Sequence, residues 1–470
     1  MKNKLLTIIL FTIIAGSLSA KIVLPDILSD NMVLQQSTSV NLWGKAKPNT
    51  VIKIQPSWMK STTTVKANDK GNWKTSVKTP EATFTPQTLT FSDGEVLILK
   101  NILIGEVWFA SGQSNMEMPL NGFWNCPVKD ANQTIATSGL NKGIRFATAP
   151  KTPAYEPQET VSGNWKESNP NNSAWFSATA YHFAKTMYDA LNVPVGMIVC
   201  SWGGSRVESW TNREILETYP DIDLTKKGIE AVEEWKRPLL MYNGMLKPLT
   251  NYTIKGFIWY QGESNVGKHD VYAQRLAAMV ELWRKNLGLG NLAFYYAELA
   301  PWNYGEGDAA AYLREAQFSA QSIIPNSGMI STNDLVEDYE FTNIHPRNKT
   351  DVGRRLAYLA LNQTYSYKDI ACHGPEYKSM EIKDGKIILS FNYAQDGFSR
   401  DSGIKGFEIA GEDRVFVAAD VKVDNNFKLI VSSNKVSNPV AVRYCFRNFL
   451  IGNLYNTREL PVVPFRTDKF

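Results

Sequence analysis

The sequence predicts an α/β protein: a central domain built on a mostly parallel sheet, with β-rich regions before and after it. Three observations carry that expectation. Between residues 101 and 367, short apolar runs alternate with helical periods, as strands do when helices cover the sheet they form. From residue 21 to 100 only short alternating segments occur, such as Val40-Asn41-Leu42-Trp43 and Val51-Ile52-Lys53-Ile54. Turn-forming stretches such as Asp69-Lys70-Gly71-Asn72 separate them, as in a small β module. From about residue 368 to 470 short strands return, among them Lys386 to Phe391 and Arg414 to Val417. No internal repeat, low-complexity linker or charge run interrupts the chain.

In the central domain the first strand is Glu106-Val107-Trp108-Phe109-Ala110, which stops at Ser111-Gly112-Gln113-Ser114-Asn115-Met116. Its β-branched and aromatic residues suit a buried strand, and Gly112 permits a sharp turn. Val195 to Cys200 is a second, ending in Ser201-Trp202-Gly203-Gly204. Lys255 to Tyr260 is a third, ending in Gln261-Gly262-Glu263-Ser264-Asn265. Tyr272, Leu276, Met279, Val280 and Trp283 then share one helical face, stopped at Gly288. Ala293 to Ala297 and Gly328 to Thr332 read as further strands, and Val352, Leu356, Leu359 and Ala360 mark a last amphipathic helix.

At 470 residues the chain is too long for one compact core. The formal net charge is only +4, and two of those charges, Lys2 and Lys4, lie at the extreme N-terminus, so no nucleic-acid footprint is expected. Those lysines, the apolar run Leu5 to Ala15 and the small residues Gly16 to Ala20 read together as a secretory signal over residues 1–20. The apolar run is too short to span a bilayer, so cleavage, export to a secreted or periplasmic space and no stable membrane insertion are expected. Four cysteines, Cys126, Cys200, Cys372 and Cys445, form no CxxC pair. Cys372 and Cys445 could bridge the tail, or all could be buried thiols. No pair of histidines has ligand spacing, so neither metal nor cofactor is expected.

Three strand ends therefore carry Gly-plus-polar clusters, and in a parallel sheet they share one edge, where open α/β sheets place their ligands. Ester hydrolysis needs a nucleophile, a base and donors for an oxyanion. Ser114 supplies the first. Its own N–H, that of Gly203 or Gly204, and the side-chain amide of Gln261 or Asn265 supply candidate donors. Among the four histidines, His182 falls within an apparent helix, His269 begins one and His373 lies in the tail. His345, in Asn343-Ile344-His345-Pro346 between a strand and the final helix, is the one a loop can aim at the strand edge. Gln113, Arg206 and Glu263 are candidates for contact with substrate, Arg206 because a guanidinium can grip a sugar carboxylate bidentately. Trp124, Trp210 and Trp302 lie where an indole could stack on a sugar face.

GQSNM, SWGGS, WYQGES and IHPRNKTDVGRRLA, in this order, with DNMVLQQ at Asp30 to Gln36, resemble the sialate O-acetylesterase family within the SGNH hydrolases. The resemblance covers roughly Ile22 to Ala360. It implies a flavodoxin-like three-layer α/β/α catalytic domain and metal-free removal of O-acetyl groups from sugars. It also implies Ser114 as nucleophile, His345 as base, and Gly204 or Gly203 with the WYQGESN amide as the oxyanion hole. The expected substrate is an O-acetylated glycan, sialic acid first and acetyl xylan or pectin as alternatives.

One position departs from the family pattern. SGNH hydrolases usually carry an aspartate three residues before the histidine; here Thr342 stands there, with Asn343 next. Either His345 works in a Ser–His dyad, or another carboxylate reaches it, Asp334 first and then Glu298 or Asp338. Two other functions compete: a glycosidase using Glu263 and Glu298, which leaves Ser114 idle, and a non-catalytic glycan-binding protein.

Overall fold

The computed structural model describes residues 21–470, so the signal expected over residues 1–20 lies outside the described residues. The central sheet contains strands β1 (Val96–Gly112), β2 (Ile144–Thr148), β3 (Trp165–Glu167), β4 (Val195–Ser201), β5 (Gly256–Tyr260), β6 (Ala293–Ala297) and β7 (Ser327–Ile330). Across the sheet they lie in the order β7-β6-β5-β1-β4-β2-β3. All neighbours are parallel except β3, which runs antiparallel to β2 at the edge. Without that edge pair, the five remaining strands follow second-first-third-fourth-fifth order, which is the flavodoxin-like arrangement. The order reverses at β1, so the turn after β1 opens at the switch point.

Residues of β1 alternate between two cores, as a pleated strand requires. Trp108 and Ala110 face one, packed with helices α2 (Ala178–Leu191) and α5 (Lys349–Leu359). Val107 and Phe109 face the other, packed with α3 (His269–Leu287); α4 (Ala309–Ala320) lies on the same side. Three layers result. In α3, Tyr272, Leu276, Met279, Val280 and Trp283 are all buried, so the apolar face read from the sequence is the covered one.

The expected boundary at residue 100 falls inside β1, which is 17 residues long. Its first half pairs antiparallel with Thr83–Ser92 and parallel with Val33–Gln35, so one strand belongs to both the N-terminal β structure and the catalytic sheet. Asn101 takes a left-handed φ of 55° within it. The C-terminal region forms two four-stranded sheets around their own core, which includes Leu389, Ile409 and Val431. It docks on α4: Arg466 meets Glu315 at 3.0 Å, and Asn448 Oδ1 accepts from Ala310 N–H at 2.9 Å. All four cysteines are free thiols, including Cys372 and Cys445. No described helix is long and apolar enough to cross a membrane.

Candidate active site

The turn after β1 is clamped from both sides. Gln113 N–H donates to Tyr260 O at 2.9 Å, and Trp202 N–H donates to Gly112 O at 3.1 Å. Gly112 has φ +137°, and a Cβ there would stand 2.1 Å from Tyr260 O, so only glycine fits. The chain then enters a short helix, α1 (Ser114–Glu117), with Ser114 half-buried at its first position. There its N–H has no intrahelical acceptor and is left for a ligand.

Gly203 lies against Ser114: a Cβ on it would be 3.2 Å from Ser114 Cβ. Its N–H donates to Glu117 Oε2 at 2.6 Å, and Glu117 Oε1 is held by Lys151 Nζ at 2.7 Å. Gly204 has φ +79° and carries the edge of the Trp235 indole, which a Cβ would meet at 2.4 Å. Its carbonyl accepts from Ser264 Oγ at 2.7 Å, fixing the GG turn to the loop after β5.

The loop carrying His345 reaches the same place through Asn115. The Asn115 side chain donates to Glu263 Oε1 at 2.5 Å and to Ile344 O at 3.1 Å. It accepts from Lys349 Nζ at 2.6 Å, and the same ammonium donates to Pro346 O at 2.7 Å. One amide beside Ser114 thus ties the turn after β1 to the loop after β5 and to the His345 loop, directly at Ile344 and through Lys349 at Pro346. Lys349 is fully buried, and burial pulls its ammonium down to about 7 against the opposing pull of Glu263. Glu263 Oε2 is enclosed without a partner, and burial pushes that carboxyl up.

His345 is half-buried, packed edge-on against Phe123 with ring centroids 5.3 Å apart. Its Nδ1 faces the Cys126 thiol at 3.8 Å, and that thiol donates to Asn343 Oδ1 at 3.4 Å. Burial first, and then the positive Lys349, bring the imidazole down to about 4. No hydrogen bond joins Ser114 Oγ to His345 among the described residues. Such bonds are often long until substrate binds.

Several expected residues are committed elsewhere. Asp334 is not at the histidine: both its oxygens are gripped by Arg355, at 2.7 and 2.6 Å, in a buried pair. Glu298 accepts from Ser331 Oγ at 2.5 Å and Thr332 N–H at 3.1 Å, while Asp338 is exposed. None of the three bonds to His345. Gln261 spends its amide on Ser205 O and Asn265 Oδ1, at 3.1 and 2.8 Å. Asn265 gives one of its two amide hydrogens to Glu208, at 3.0 Å, so Gln261, with both of its own committed, has no N–H left for an oxyanion.

Of the residues read as touching substrate, Gln113 is buried with its carbonyl on Gly262 N–H, and Glu263 buttresses Asn115. Arg206 donates to Ser264 O at 3.1 Å and makes no ion pair among the described residues. Trp210 is buried and Trp302 is half-buried against Tyr304, whereas Trp124 stands free. No group of three His, Cys, Asp or Glu side chains that could hold a metal occurs among the described residues.

The Asp334–Arg355 pair yields a direct expectation. Asp334→Asn leaves a buried guanidinium short of its charge partner, a change that costs about 3–5 kcal/mol. Denaturant unfolding should show that loss, while kcat on an aryl acetate stays near wild type. A collapse of kcat in the folded variant would return Asp334 to the catalytic unit.

Sequence reasoning missed Lys349 and Cys126. Lys349 sits in the quoted IHPRNK stretch but would ordinarily be read as a solvated helix-start lysine; only its burial reveals it. Cys126 carried no local signal, being 219 residues from His345.

Residues 104–362 match the model for carbohydrate esterases described as sialic acid-specific acetylesterases. Human sialate O-acetylesterase is 27% identical over 421 residues, covering 82% of this chain and 79% of that protein. The mouse sialate O-acetylesterase is 26% identical over 505 residues, covering 92% of each. The crystal structure of a carbohydrate acetylesterase from Xanthomonas citri superposes with a TM-score of 0.85 at 33% identity, covering 96% of this chain and all of that one.

Proposed function

Because the chain belongs to the sialic acid-specific acetylesterase family of carbohydrate esterases, and is a carboxylic ester hydrolase acting on O-acetylated carbohydrate, we propose that its substrate is O-acetylated sialic acid. We further propose that it works through a Ser114–His345 dyad outside the cytoplasm. The observation that carries the site is the Asn115 amide, whose bonds to Ile344 O and Lys349 bring the nucleophile turn and the histidine loop together. The dyad rests on the environment of His345, whose Nδ1 faces a thiol where a carboxylate would otherwise stand. The relatives named sialate O-acetylesterase support the sugar, and the N-terminal sequence pattern supports export.

In the proposed reaction Ser114 Oγ attacks the acetyl carbonyl and its proton passes to His345 Nε2. The oxyanion is met by the N–H groups of Ser114 and Gly203, with Gly204 beside them. Glu117 Oε2 holds the Gly203 N–H in the free protein, so the ester oxygen takes over that bond by displacing it. The alkoxide of the sugar leaves with the proton from His345, and water returns through the same histidine to release acetate. Lowering of the imidazole keeps it neutral, and so able to accept a proton, at every pH well above 4. Nothing in this sequence of steps uses a metal, so EDTA is expected to leave the rate unchanged. Loss in EDTA that a divalent ion restores would contradict it.

Acetate release from O-acetylated N-acetylneuraminic acid, acetyl xylan and acetylated pectin, with phenol release from aryl glycosides, tests the whole reading. The first substrate should give the highest kcat/KM. Preference for xylan or pectin would move the substrate, and cleavage of the glycosides alone would remove the esterase.

A further inference from the structure

A cavity opens on the edge of the sheet that carries Ser114. Leu120 N–H donates to Phe176 O and Asn121 N–H to Ala174 O, both at 2.9 Å, and Ala178 N–H donates to Met118 O at 2.8 Å. Residues 174–178 therefore run alongside the segment that follows the nucleophile. In the middle of them Trp175 is 70% exposed, although Phe176 beside it is buried and stacked on Phe146 at 4.3 Å. The indole borders a cavity of about 590 Å³ lined also by Thr148, Pro150, Asn164, Lys166 and Asn171. Thr148 ends β2, so the cavity lies at the C-terminal edge of the strands, as the nucleophile does.

Pro150 links the cavity along the chain to the proposed site. The next residue, Lys151, holds the Glu117 carboxylate that takes up the Gly203 N–H. The rim of the cavity is thus joined to the proposed oxyanion donor through Lys151 and Glu117. The lining is polar in a specific way. The side-chain amides of Asn164 and Asn171 have no protein partner among the described residues, and Lys166 has no carboxylate there. An exposed indole beside unspent amides and an ammonium suits a pyranose ring: its C–H face stacks on the indole while its hydroxyls bond the polar groups.

We propose that this cavity is a subsite for a sugar residue of the glycan other than the one bearing the ester, with Trp175 as its platform. This rests on the carbohydrate-esterase reading and extends it, because it makes the enzyme favour oligosaccharides over acetylated monosaccharides.

Trp175→Ala and Trp175→Phe are compared with wild type on p-nitrophenyl acetate and on paired substrates: O-acetylated 3′-sialyllactose, xylotetraose and tetragalacturonate, each against its acetylated monosaccharide. Trp175→Ala should raise KM for the cleaved oligosaccharide about fivefold, with Trp175→Phe near wild type. Neither variant should change the aryl acetate or the monosaccharide. Cleavage of the xylan or pectin pair in place of the sialyl pair would defeat the substrate assignment while still measuring the subsite. Three outcomes would overturn the subsite itself. They are an unchanged oligosaccharide KM in Trp175→Ala, an equal loss on all substrates, or a wild-type enzyme with no KM advantage for any oligosaccharide.

Discussion

Ser114→Ala is expected to reduce kcat for acetyl-ester hydrolysis by on the order of 10³-fold or more while the protein remains folded, since removing a nucleophile removes the covalent route itself. The fold should survive because the hydroxyl makes no bond on which the turn depends. The turn is held instead by Gln113 N–H on Tyr260 O and by the Asn115 amide, neither of which the change touches. Acetate release and a thermal melt, run on the same preparation, separate the two effects. Substantial activity in a folded Ser114→Ala protein would sink the assignment. Asn115→Ala makes an informative companion, because it keeps the nucleophile and cuts the tie to Ile344 O and Lys349. A large fall there would mark positioning, not chemistry, as the lost element.

Much of this site was legible in the sequence because its signals are local. A β-branched run ending at Gly112 announces a strand and a sharp turn, and the three strand ends share an edge as soon as the sheet is parallel. The apolar face of α3 follows from its period. What stayed hidden depends on distant contacts. The sequence cannot show that Arg355 claims Asp334, that Glu208 claims Asn265, or that Cys126 meets His345 across 219 residues. Side-chain amides such as Gln261 look equally able to donate to a ligand or to the protein; only the fold reveals that Ser205 O and Asn265 have taken them. The same holds for tryptophans. Trp210 and Trp175 are alike as residues, yet one fills the core and the other stands in solvent. Near residue 100 the pattern changes from short alternating segments to strands alternating with helices, which suggests a module end, whereas β1 passes straight through with Asn101 in a left-handed conformation.

The second large effect belongs to His345. His345→Gln is expected to lower kcat by on the order of 10³-fold, since it removes the imidazole proposed to take the Ser114 proton. The pH profile tests this more sharply than the loss alone. The reacting form is the neutral imidazole, so activity falls as the pH drops through the pKa of His345, brought to about 4 by burial and by Lys349. The acid limb of kcat/KM should therefore lie well below the position an ordinary histidine near 6.5 would give. Lys349→Met removes a positive charge that opposes imidazolium formation, so the limb should move toward higher pH. A change that merely loosened the loop would lower the plateau without moving the limb. Cys126→Asp should push in the same direction, because a carboxylate facing Nδ1 stabilises the imidazolium as the missing aspartate would. A wild-type acid limb at 6 to 7 that neither substitution moves would remove His345 from the role of base.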